Sequence, residues 1–444
     1  MRRVFFVVVA GLVLAVTAGA IYYKHETRTR EKRGSPTVEF VTTAPVEKKR
    51  PVKDVATIPW PTYGYDDART RATSQLHIRP PYKQIWTFRT KATLEFPPVV
   101  GYGLLFTTQF KGRLWAVDAK RGKPVWHRDF GHCAAASPTI GKDVIYVAFM
   151  QPRPCNRYPR TQRGFVVGML VRNKKGKNIP GRILWKFNSG PVESSPLLVD
   201  HVLYFGSWDH HVYALDVRNR HRPRLLWKFK ADDEVNSSPA YSDGLVYFGT
   251  NAGSVYAVTA FTGRERWRAR SYARFGRREY FYATPTVAYG RVYIGNTDGT
   301  LFAFGAKTGH TLWSRHAGNY IYTAAAVWKK KVYIGTWDGK VAAYSAATGD
   351  TIWVRNAVGA VHGAPTILNG ILYYSTCPIC GRGGKRYTKR GPPGTFGVDA
   401  RNGRLMWKHW AGRYSPVVAD REHLYVVGYT RIYGFEPIKK RRKP

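Results

Sequence analysis

Side chains able to do acid–base or ligand-binding chemistry recur beside one repeated dipeptide of this chain. The dipeptide is Ser, Thr or Ala followed by Pro, at Ser137-Pro138, Ser195-Pro196, Ser238-Pro239, Thr284-Pro285, Ala364-Pro365 and Ser415-Pro416. The candidate side chains stand just before these dipeptides or at matching places: Glu95, His132, Glu193, Asn236, Tyr282, Tyr322, His362 and Tyr414. Acids, an amide, imidazoles and phenols that converge on one opening could hold a cation or a polar ligand. The alternative is a water-filled opening in which these side chains have only a structural role.

The cysteines carry a second kind of chemistry. Cys377-Pro-Ile-Cys380 could close a short disulfide, take part in redox exchange or join a zinc site. Cys133 and Cys155 are candidates for a bridge in an oxidising compartment. We expect two structural disulfides, with the Cα atoms of Cys133 and Cys155 within about 7 Å of each other.

Sequence signatures of common catalytic sites are missing from the chain. It has no G-x-S-x-G elbow, no P-loop and no H-E-x-x-H helix. No catalytic residue and no metal ligand can therefore be assigned from motifs.

The elements that must position these side chains are repeats. The stretch Val332–Trp353 reads as a buried strand, a tight Asp338-Gly339 turn, a return strand, a second turn and a third strand. Similar text recurs at Val202–Trp227, Val246–Trp267, Val292–Trp313 and, less regularly, Leu104–Trp126 and Ile371–Trp407. A period of about 40 residues with four strands per unit is typical of a propeller blade.

A tryptophan ends each unit, and a short motif precedes most of them. The tryptophans are Trp86, Trp126, Trp185, Trp227, Trp267, Trp313, Trp353 and Trp407. The motif is Ala-x-Asp-x-x-Thr-Gly-x-x-x-Trp, in which Gly supplies the turn and Trp fills the gap between twisted sheets. Good copies end at Trp126, Trp267, Trp313, Trp353 and Trp407, whereas the unit ending at Trp185 has lost the motif and that ending at Trp227 keeps only Ala214 and Asp216.

This motif resembles the tryptophan-docking motif of the PQQ-like (pyrroloquinoline-quinone repeat) β-propeller superfamily, from about Trp60 to Pro437. The family holds quinoprotein dehydrogenases and BamB-like scaffold proteins of outer-membrane assembly. The resemblance implies that an enzyme of the family would use an adjacent Cys-Cys pair, a calcium ion held by Glu and Asn, and an Asp base. This chain has no Cys-Cys, and no motif assigns Glu193 and Asn236 to the calcium role although their types fit.

The two ends of the repeat predict how the ring closes. The last unit, Tyr414–Pro437, supplies three strands and no tryptophan, while Trp86 has no three strands before it. Joined, they make an eighth blade and remove exposed sheet edges. We therefore predict an all-β fold, an eight-bladed β-propeller of four-stranded antiparallel blades, preceded by one N-terminal transmembrane helix.

Long basic insertions interrupt the repeat. Gln151–Arg163 and Cys377–Thr395 lie between the second and third strands of their blades, and Arg268–Tyr282 joins two blades. Connections of these two kinds lie on one side of a propeller, so the sequence predicts one basic face. Its residues are Arg153, Arg157, Arg160, Arg274, Arg277, Arg278, Arg382, Lys385, Arg386, Lys389 and Arg390. The alternative is that long loops are merely tolerated there.

The charge of the whole chain is also strongly basic. Lys and Arg number 71 against 28 Asp and Glu, which gives a formal net charge of +43. Such a balance favours an anionic partner, or else reflects only a basic, soluble surface. The chain has no zinc-finger, helix-turn-helix or RNA-recognition signature, so nucleic acid is disfavoured as the partner.

The N-terminus predicts a membrane anchor. The run from Val4 to Tyr23 is uncharged and long enough to span a bilayer, and Ala18-Gly19-Ala20 also resembles a signal-peptidase site. Basic residues after the run oppose export by the positive-inside rule, but the short basic start and the long following domain favour it. We predict an anchor at 1–23, a basic linker at 24–59, the propeller at 60–437 and a basic tail at 438–444.

These observations predict a single-pass protein of the bacterial cytoplasmic membrane with its propeller on the extracytoplasmic side. We expect a monomeric, non-catalytic scaffold whose basic face binds envelope proteins or an anionic envelope polymer or lipid, with no cofactor. The alternative is a PQQ-dependent dehydrogenase with its ligand at the channel mouth.

Overall fold

Eight β-sheets form the blades of a propeller in this computed structural model. The structure describes residues 14, 16–19, 31–42, 51–155, 163–271, 279–357, 359–377, 394–414 and 417–438. A short helix, α1 (Val52–Thr57), and strands β1 (Ala72–Thr73) and β2 (Tyr82–Arg89) precede the first blade.

Each blade is an antiparallel meander of four strands, called A to D from the channel outward. Blade 1 comprises β3 (Val99–Gly101), β4 (Leu104–Thr108), β5 (Arg113–Asp118) and β6 (Pro124–Asp129). Blade 2 comprises β7 (Thr139–Ile140), β8 (Val144–Phe149), β9 (Gly164–Arg172) and β10 (Asn178–Ser189). Blade 3 comprises β11 (Leu197–Val199), β12 (Val202–Gly206), β13 (His211–Asp216) and β14 (Arg224–Lys230). Blades 4 and 5 comprise β15 (Ala240–Ser242), β16 (Leu245–Gly249), β17 (Ser254–Thr259) and β18 (Glu265–Arg270); and β19 (Thr286–Ala288), β20 (Arg291–Gly295), β21 (Thr300–Gly305) and β22 (Thr311–His316).

The remaining blades repeat this plan, except that blade 7 gains a fifth strand, β1, and blade 8 is built from both ends of the propeller. Blades 6 and 7 comprise β23 (Ala326–Trp328), β24 (Lys331–Gly335), β25 (Lys340–Ser345) and β26 (Thr351–Asn356); and β27 (Thr366–Leu368), β28 (Ile371–Ser375), β29 (Thr395–Asp399) and β30 (Leu405–His409). Blade 8 comprises β31 (Val418–Ala419), β32 (Leu424–Val427), β33 (Arg431–Pro437) and, as its D strand, β2. The predicted ring closure is therefore confirmed, with Trp86 paired to Gly434 across β2 and β33.

The tryptophan motif acts between blades, as its composition predicts. The indole Nε1 donates to an Ala carbonyl of the next blade at Trp86–Ala119, Trp227–Ala260, Trp267–Ala306, Trp313–Ala346 and Trp353–Ala400, over 2.9–3.2 Å. The indole ring also packs on the motif glycine of that next blade: a Cβ on Gly349 would lie 2.8 Å from the ring of Trp313. These five acceptors belong to the five blades that carry good motif copies. Trp126 and Trp185 face the two degraded copies, and neither Nε1 has a partner among the described residues.

The central channel is filled by a segment that the sequence places only at the start of the ordered part. This channel plug, residues 60–76, bonds the inner edges of the A strands. Its carbonyls at Trp60, Pro61, Asp67, Ala68, Thr70 and Arg71 accept from backbone N–H groups of Val100, Ile140, Tyr241, Val287, Val327 and Ile367, over 2.8–2.9 Å. Its strand β1 then adds to blade 7, parallel to β27.

A fully buried arginine holds the plug in place. Arg69 Nε donates to Pro239 O at 2.9 Å, Nη1 to Thr62 Oγ1 at 2.8 Å and to Tyr63 O, and Nη2 to Ser195 O at 3.2 Å. Burial lowers the pKa of Arg69 to about 9. One side chain thus ties the plug to blades 3 and 4.

Part of the predicted linker at 24–59 is not a free tether. An N-terminal strap, residues 31–42, packs on blades 5 and 6, where Gly34 N donates to Thr348 O at 3.0 Å and Val41 N to Tyr289 O at 3.0 Å. Buried Arg291 donates from Nη2 to Ser35 O at 3.0 Å. Residues 31–42 of the predicted linker thus pack on the propeller, through backbone hydrogen bonds and a buried guanidinium rather than through a periodic apolar face.

The predicted anchor at 1–23 lies almost wholly outside the described residues. Within the described part of the chain, no helix has the length and apolar character needed to cross a bilayer. Residues 439–444 of the predicted tail also lie outside it.

Candidate functional site

The predicted ring of polar side chains forms at the channel end where the D–A connections enter the A strands. A cavity of about 40 Å³ there is lined by Glu95, Glu193, Asn236, Tyr282, Tyr322, His362 and Tyr414, with Tyr63 of the plug below them. Each of the seven ring residues stands four places before the first residue of its A strand. Repetition of one blade position therefore brings together residues that are far apart in the sequence.

His132 is the exception, and its prediction was wrong. The position four places before β7 belongs to Ala135, which is buried, so the described part of blade 2 offers no polar group to the cavity. The His132 ring packs instead against Phe165, with ring centroids 4.7 Å apart, and its Nδ1 lies 3.0 Å from Phe130 O. Counting back from the strand, rather than choosing the nearest polar residue, would have found the correct position.

Glu193 is the centre of the hydrogen-bond network of this cavity. Asn236 Nδ2 donates to its Oε2 at 2.8 Å and the Tyr282 hydroxyl donates to its Oε1. Asn251 Nδ2 in turn donates to Asn236 Oδ1 at 3.0 Å, which fixes the amide with its NH₂ group towards Glu193. Burial raises the pKa of Glu193, and the two donors oppose that rise.

Glu95 faces Glu193 across the cavity. Burial, and then the nearby charge of Glu193, raise the pKa of Glu95 to about 7. Two negative charges in one small cavity repel each other, so ionisation of one carboxyl group opposes ionisation of the other. The cavity can therefore hold a proton or an ordered water at neutral pH.

Aromatic rings occupy the rest of the opening. Tyr282 stacks on Tyr322 with centroids 4.4 Å apart, and Tyr322 lies 4.6 Å from the ring of His362. The His362 ring meets Tyr414 edge-on at 5.2 Å. Burial lowers the pKa of His362 to about 4, so this imidazole is neutral at pH 7. The rings of four successive blades thus pack against one another.

A sequence model of the family described as outer membrane protein assembly factor BamB matches residues 81–161 and 222–442. This chain belongs to that family. The match spans most of the blades, and the tryptophan motif and the closed eight-bladed ring agree with it.

Sequence similarity to characterised proteins covers only part of this BamB-family chain. It is 30% identical over 104 residues to a lanthanide-dependent methanol dehydrogenase of Methylacidiphilum fumariolicum, which is 20% of this chain and 17% of that protein. It is 33% identical over 96 residues to a 1-butanol dehydrogenase (cytochrome c) of Thauera butanivorans, which is 19% of this chain and 14% of that protein. The chain thus spans less than a fifth of the length of these two curated relatives.

Solved structures share the fold at low identity. BamB from Moraxella catarrhalis superposes with a TM-score of 0.60 at 13% identity, over 80% of this chain and 100% of that one. The quinohemoprotein alcohol dehydrogenase of Comamonas testosteroni superposes with a TM-score of 0.67 at 11% identity, over 90% of this chain and 84% of that one. At these identities the likeness establishes the propeller architecture only.

The cofactor that the resemblance implies does not fit the described cavity. Pyrroloquinoline quinone is a planar tricyclic molecule, and pockets for small organic ligands measure about 300–1,000 Å³. The cavity of this BamB-family chain has about 40 Å³, because the stacked rings of Tyr282, Tyr322 and His362 fill the opening. Within the described residues, no group of three or more His, Cys, Asp or Glu is placed to hold a metal ion.

A disulfide lies beside this end of the channel. Cys133 and Cys155 are bonded with a Cα–Cα distance of 5.5 Å, which ties the start of the blade 2 insertion to the D–A connection before it. Cys377 is also disulfide-bonded, whereas Cys380 lies outside the described residues.

Most of the predicted basic face lies outside the described residues. This applies to Arg157, Arg160, Arg274, Arg277, Arg278, Arg382, Lys385, Arg386, Lys389 and Arg390. Arg153 is described, and its Nη2 donates to Asp129 Oδ1 at 2.9 Å. The described ends of two insertions, Pro152 and Cys377, pair with His132 and Ala360 next to the channel mouth.

Proposed function

We propose that this chain is a membrane-anchored, monomeric, non-catalytic scaffold on the extracytoplasmic side of the bacterial cytoplasmic membrane. Its channel-mouth face binds envelope proteins or an anionic envelope polymer or lipid. The observation that carries the non-catalytic part is the packed ring of Tyr282, Tyr322 and His362, which fills the place where a ligand would enter. The family match and the likeness to a solved BamB over its full length support the scaffold role.

A second candidate function is a PQQ-dependent dehydrogenase. Two observations favour it: the local 30% identity to a lanthanide-dependent methanol dehydrogenase, and the bonded Glu193–Asn236 pair at the channel mouth. It requires the aromatic rings to move apart, which the buried contacts among them oppose.

Cofactor reconstitution separates the two candidates. The purified chain is titrated with pyrroloquinoline quinone in the presence of Ca²⁺ or La³⁺, and alcohol-dependent dye reduction is measured. We expect neither quinone binding nor dye reduction. Saturable quinone binding, with dye reduction that Glu193→Gln abolishes, would establish the enzyme instead.

The partner class is tested on the basic residues of one insertion. Neutralising Arg382, Lys385, Arg386, Lys389 and Arg390 is expected to weaken binding to anionic liposomes or envelope polymer at least tenfold and to flatten its salt dependence. The matched control neutralises Lys120, Arg121, Lys123, Arg264 and Lys307, which are exposed in C–D turns on the opposite side. Equal losses from both sets would mean that only net charge matters, and would contradict a specific face.

The anchor is tested separately, by carbonate extraction of membranes and by protease protection of spheroplasts. We expect the full chain to stay with the membrane and its propeller to be cleaved from outside. Release by carbonate, or protection from external protease, would contradict this part of the proposal.

A further inference from the structure

A larger cavity lies at the opposite end of the channel, where the A–B turns meet. This base cavity has a volume of about 870 Å³, within the usual range for small-molecule sites. Its walls include Tyr289, Trp328, Lys329 and Lys330 from blades 5 and 6, and His77 and Arg79 from the stretch that follows the plug. It is separated from the channel-mouth cavity by the length of the A strands and by the plug.

The base cavity is strongly basic. Among the described residues that line it there are two lysines, an arginine and a histidine, and no Asp or Glu. None of these four basic residues forms an ion pair with a described carboxylate. Unneutralised cations in a concave site focus a positive potential into it and attract an anion.

One lysine of the cavity has a backbone conformation that other blades reserve for glycine. The second turn residue of the A–B hairpins is Gly103, Gly244, Gly290 or Gly370 in blades 1, 4, 5 and 7, each with φ between +73° and +78°. In blade 6 this place is taken by Lys330, with φ of +60°. A bulky L-residue is strained in this region, and strain kept where glycine would serve suggests a use for the side chain.

Contacts around the turn fix the backbone of Lys330 and place the Lys329 ammonium beside an aromatic ring. Lys330 N donates to the Tyr289 hydroxyl at 2.7 Å, and Lys329 Nζ lies 4.7 Å from the centroid of the Trp328 ring. Trp328 packs on blade 7, since a Cβ on Gly370 would lie 3.0 Å from its ring. The cavity therefore combines two neighbouring lysines with a fixed aromatic ring.

We propose that the base cavity binds a phosphate ester attached to a ring, such as a sugar phosphate. The phosphate pairs with Lys330, Arg79 and Lys329, and as it draws the Lys329 ammonium away from Trp328 the ligand ring takes its place against the indole. Such a group occurs in soluble metabolites and in lipid headgroups, and the shared chemistry is what the cavity recognises. This inference does not depend on the proposed function at the other end of the channel.

The full chain, in a nonionic detergent, is titrated calorimetrically with glucose 6-phosphate, inorganic phosphate and glucose. We expect glucose 6-phosphate to bind more tightly than either of the others, and its affinity to fall with added salt. Lys330→Gly should weaken that binding at least tenfold and yet raise the melting temperature, because it removes a cation and relieves the turn. Lys329→Gln should also weaken binding, whereas the exposed Lys307→Gln is the control.

Vesicles identify the source of the phosphate ester. Binding to phosphatidylinositol vesicles, compared with phosphatidylcholine, is measured for the native chain and for Lys330→Gly. Loss of both vesicle and glucose 6-phosphate binding in the variant assigns the cavity to a lipid headgroup, and loss of the soluble ligand alone assigns it to a metabolite. Absence of phosphate-ester binding by the native chain, or equal binding by native chain and Lys330→Gly, would overturn the proposal.

Discussion

At the scale of single residues, the motif tryptophans differ in what they bond although they look alike in sequence. Trp313 is fully buried and donates to Ala346 O at 3.1 Å, whereas the Nε1 of Trp185 has no partner among the described residues. The difference arises in the neighbouring blade, which carries a good copy of the motif beside Trp313 and keeps only Ala214 and Asp216 of it beside Trp185.

Replacing each of these tryptophans by phenylalanine should therefore give unequal losses of stability. Trp313→Phe removes a buried hydrogen bond as well as volume, and we expect it to lower the free energy of unfolding by about 1–2 kcal/mol more than Trp185→Phe does. Trp313→Ala should cost about 3–5 kcal/mol. Chemical denaturation of the variants measures this, and equal losses for the two phenylalanine variants would contradict the role given to the indole bond.

Glu95 predicts a pH effect of definite sign. Its pKa of about 7 in the folded chain exceeds its ordinary value of 4.5, so the folded state binds the proton more tightly and loses stability as pH rises through this window. Asp66 and Glu193 act in the same direction, whereas His362, whose pKa is lowered to about 4, acts in the opposite one.

Glu95→Gln isolates this contribution from the others. The variant should gain stability relative to the native chain as pH rises from 5 to 8, by about 2 kcal/mol at the upper end. Thermal unfolding at a series of pH values measures the difference. A difference that does not change with pH would mean that Glu95 titrates normally.

At the scale of elements, the repeat could be predicted from the sequence and the two added segments could not. The blades have alternating apolar strands, Asp-Gly turns and a tryptophan at a fixed place, and these signals gave the fold, the closing strand and seven of the eight positions at the channel mouth. The plug buries Trp60, Tyr65 and Leu76, and the strap packs Phe40 on Tyr289, but these apolar residues follow no strand or helix period. Both segments attach through backbone hydrogen bonds and through Arg69 and Arg291. Their composition is that of a linker, so hydrophobic periodicity cannot reveal them.

Because Arg69 ties the plug to two blades, we expect its replacement to destabilise the fold more than that of an exposed arginine. Arg69→Leu would leave several buried carbonyl groups without a donor, and we expect a loss of about 3–5 kcal/mol in the free energy of unfolding. The exposed Arg121→Leu is the control and should change stability by less than about 0.5 kcal/mol. A small loss at Arg69 would contradict the view that it ties the plug to the blades.

The strap predicts slow hydrogen exchange in a part of the chain that reads as a tether. Amides of Lys32, Gly34 and Val41 donate to the propeller and should exchange much more slowly than those of an unstructured peptide. Arg291→Ala should speed their exchange, because it removes the donor to Ser35 and Val38. Exchange at the unstructured rate in the native chain, followed by mass spectrometry, would show that the strap does not dock.

At the scale of the whole molecule, the channel has two unlike ends. One is polar and nearly filled, with Glu95 and Glu193 among stacked rings, and the other is open and basic around Lys329 and Lys330. Within the described residues the plug fills the centre of the ring, so the two ends are separate surfaces.

The position of the plug in the chain also has a consequence for how the ring is built. Residues 60–76 leave the ribosome before any of the blades whose inner edges they bond, and their last partner strand, β27, belongs to blade 7, near the other end of the fold. Each new blade can therefore wrap round a centre that is already there, and nothing has to be threaded through a finished ring. A circular permutant that begins at blade 4 and carries the plug late in its sequence would have to insert it into blades already made.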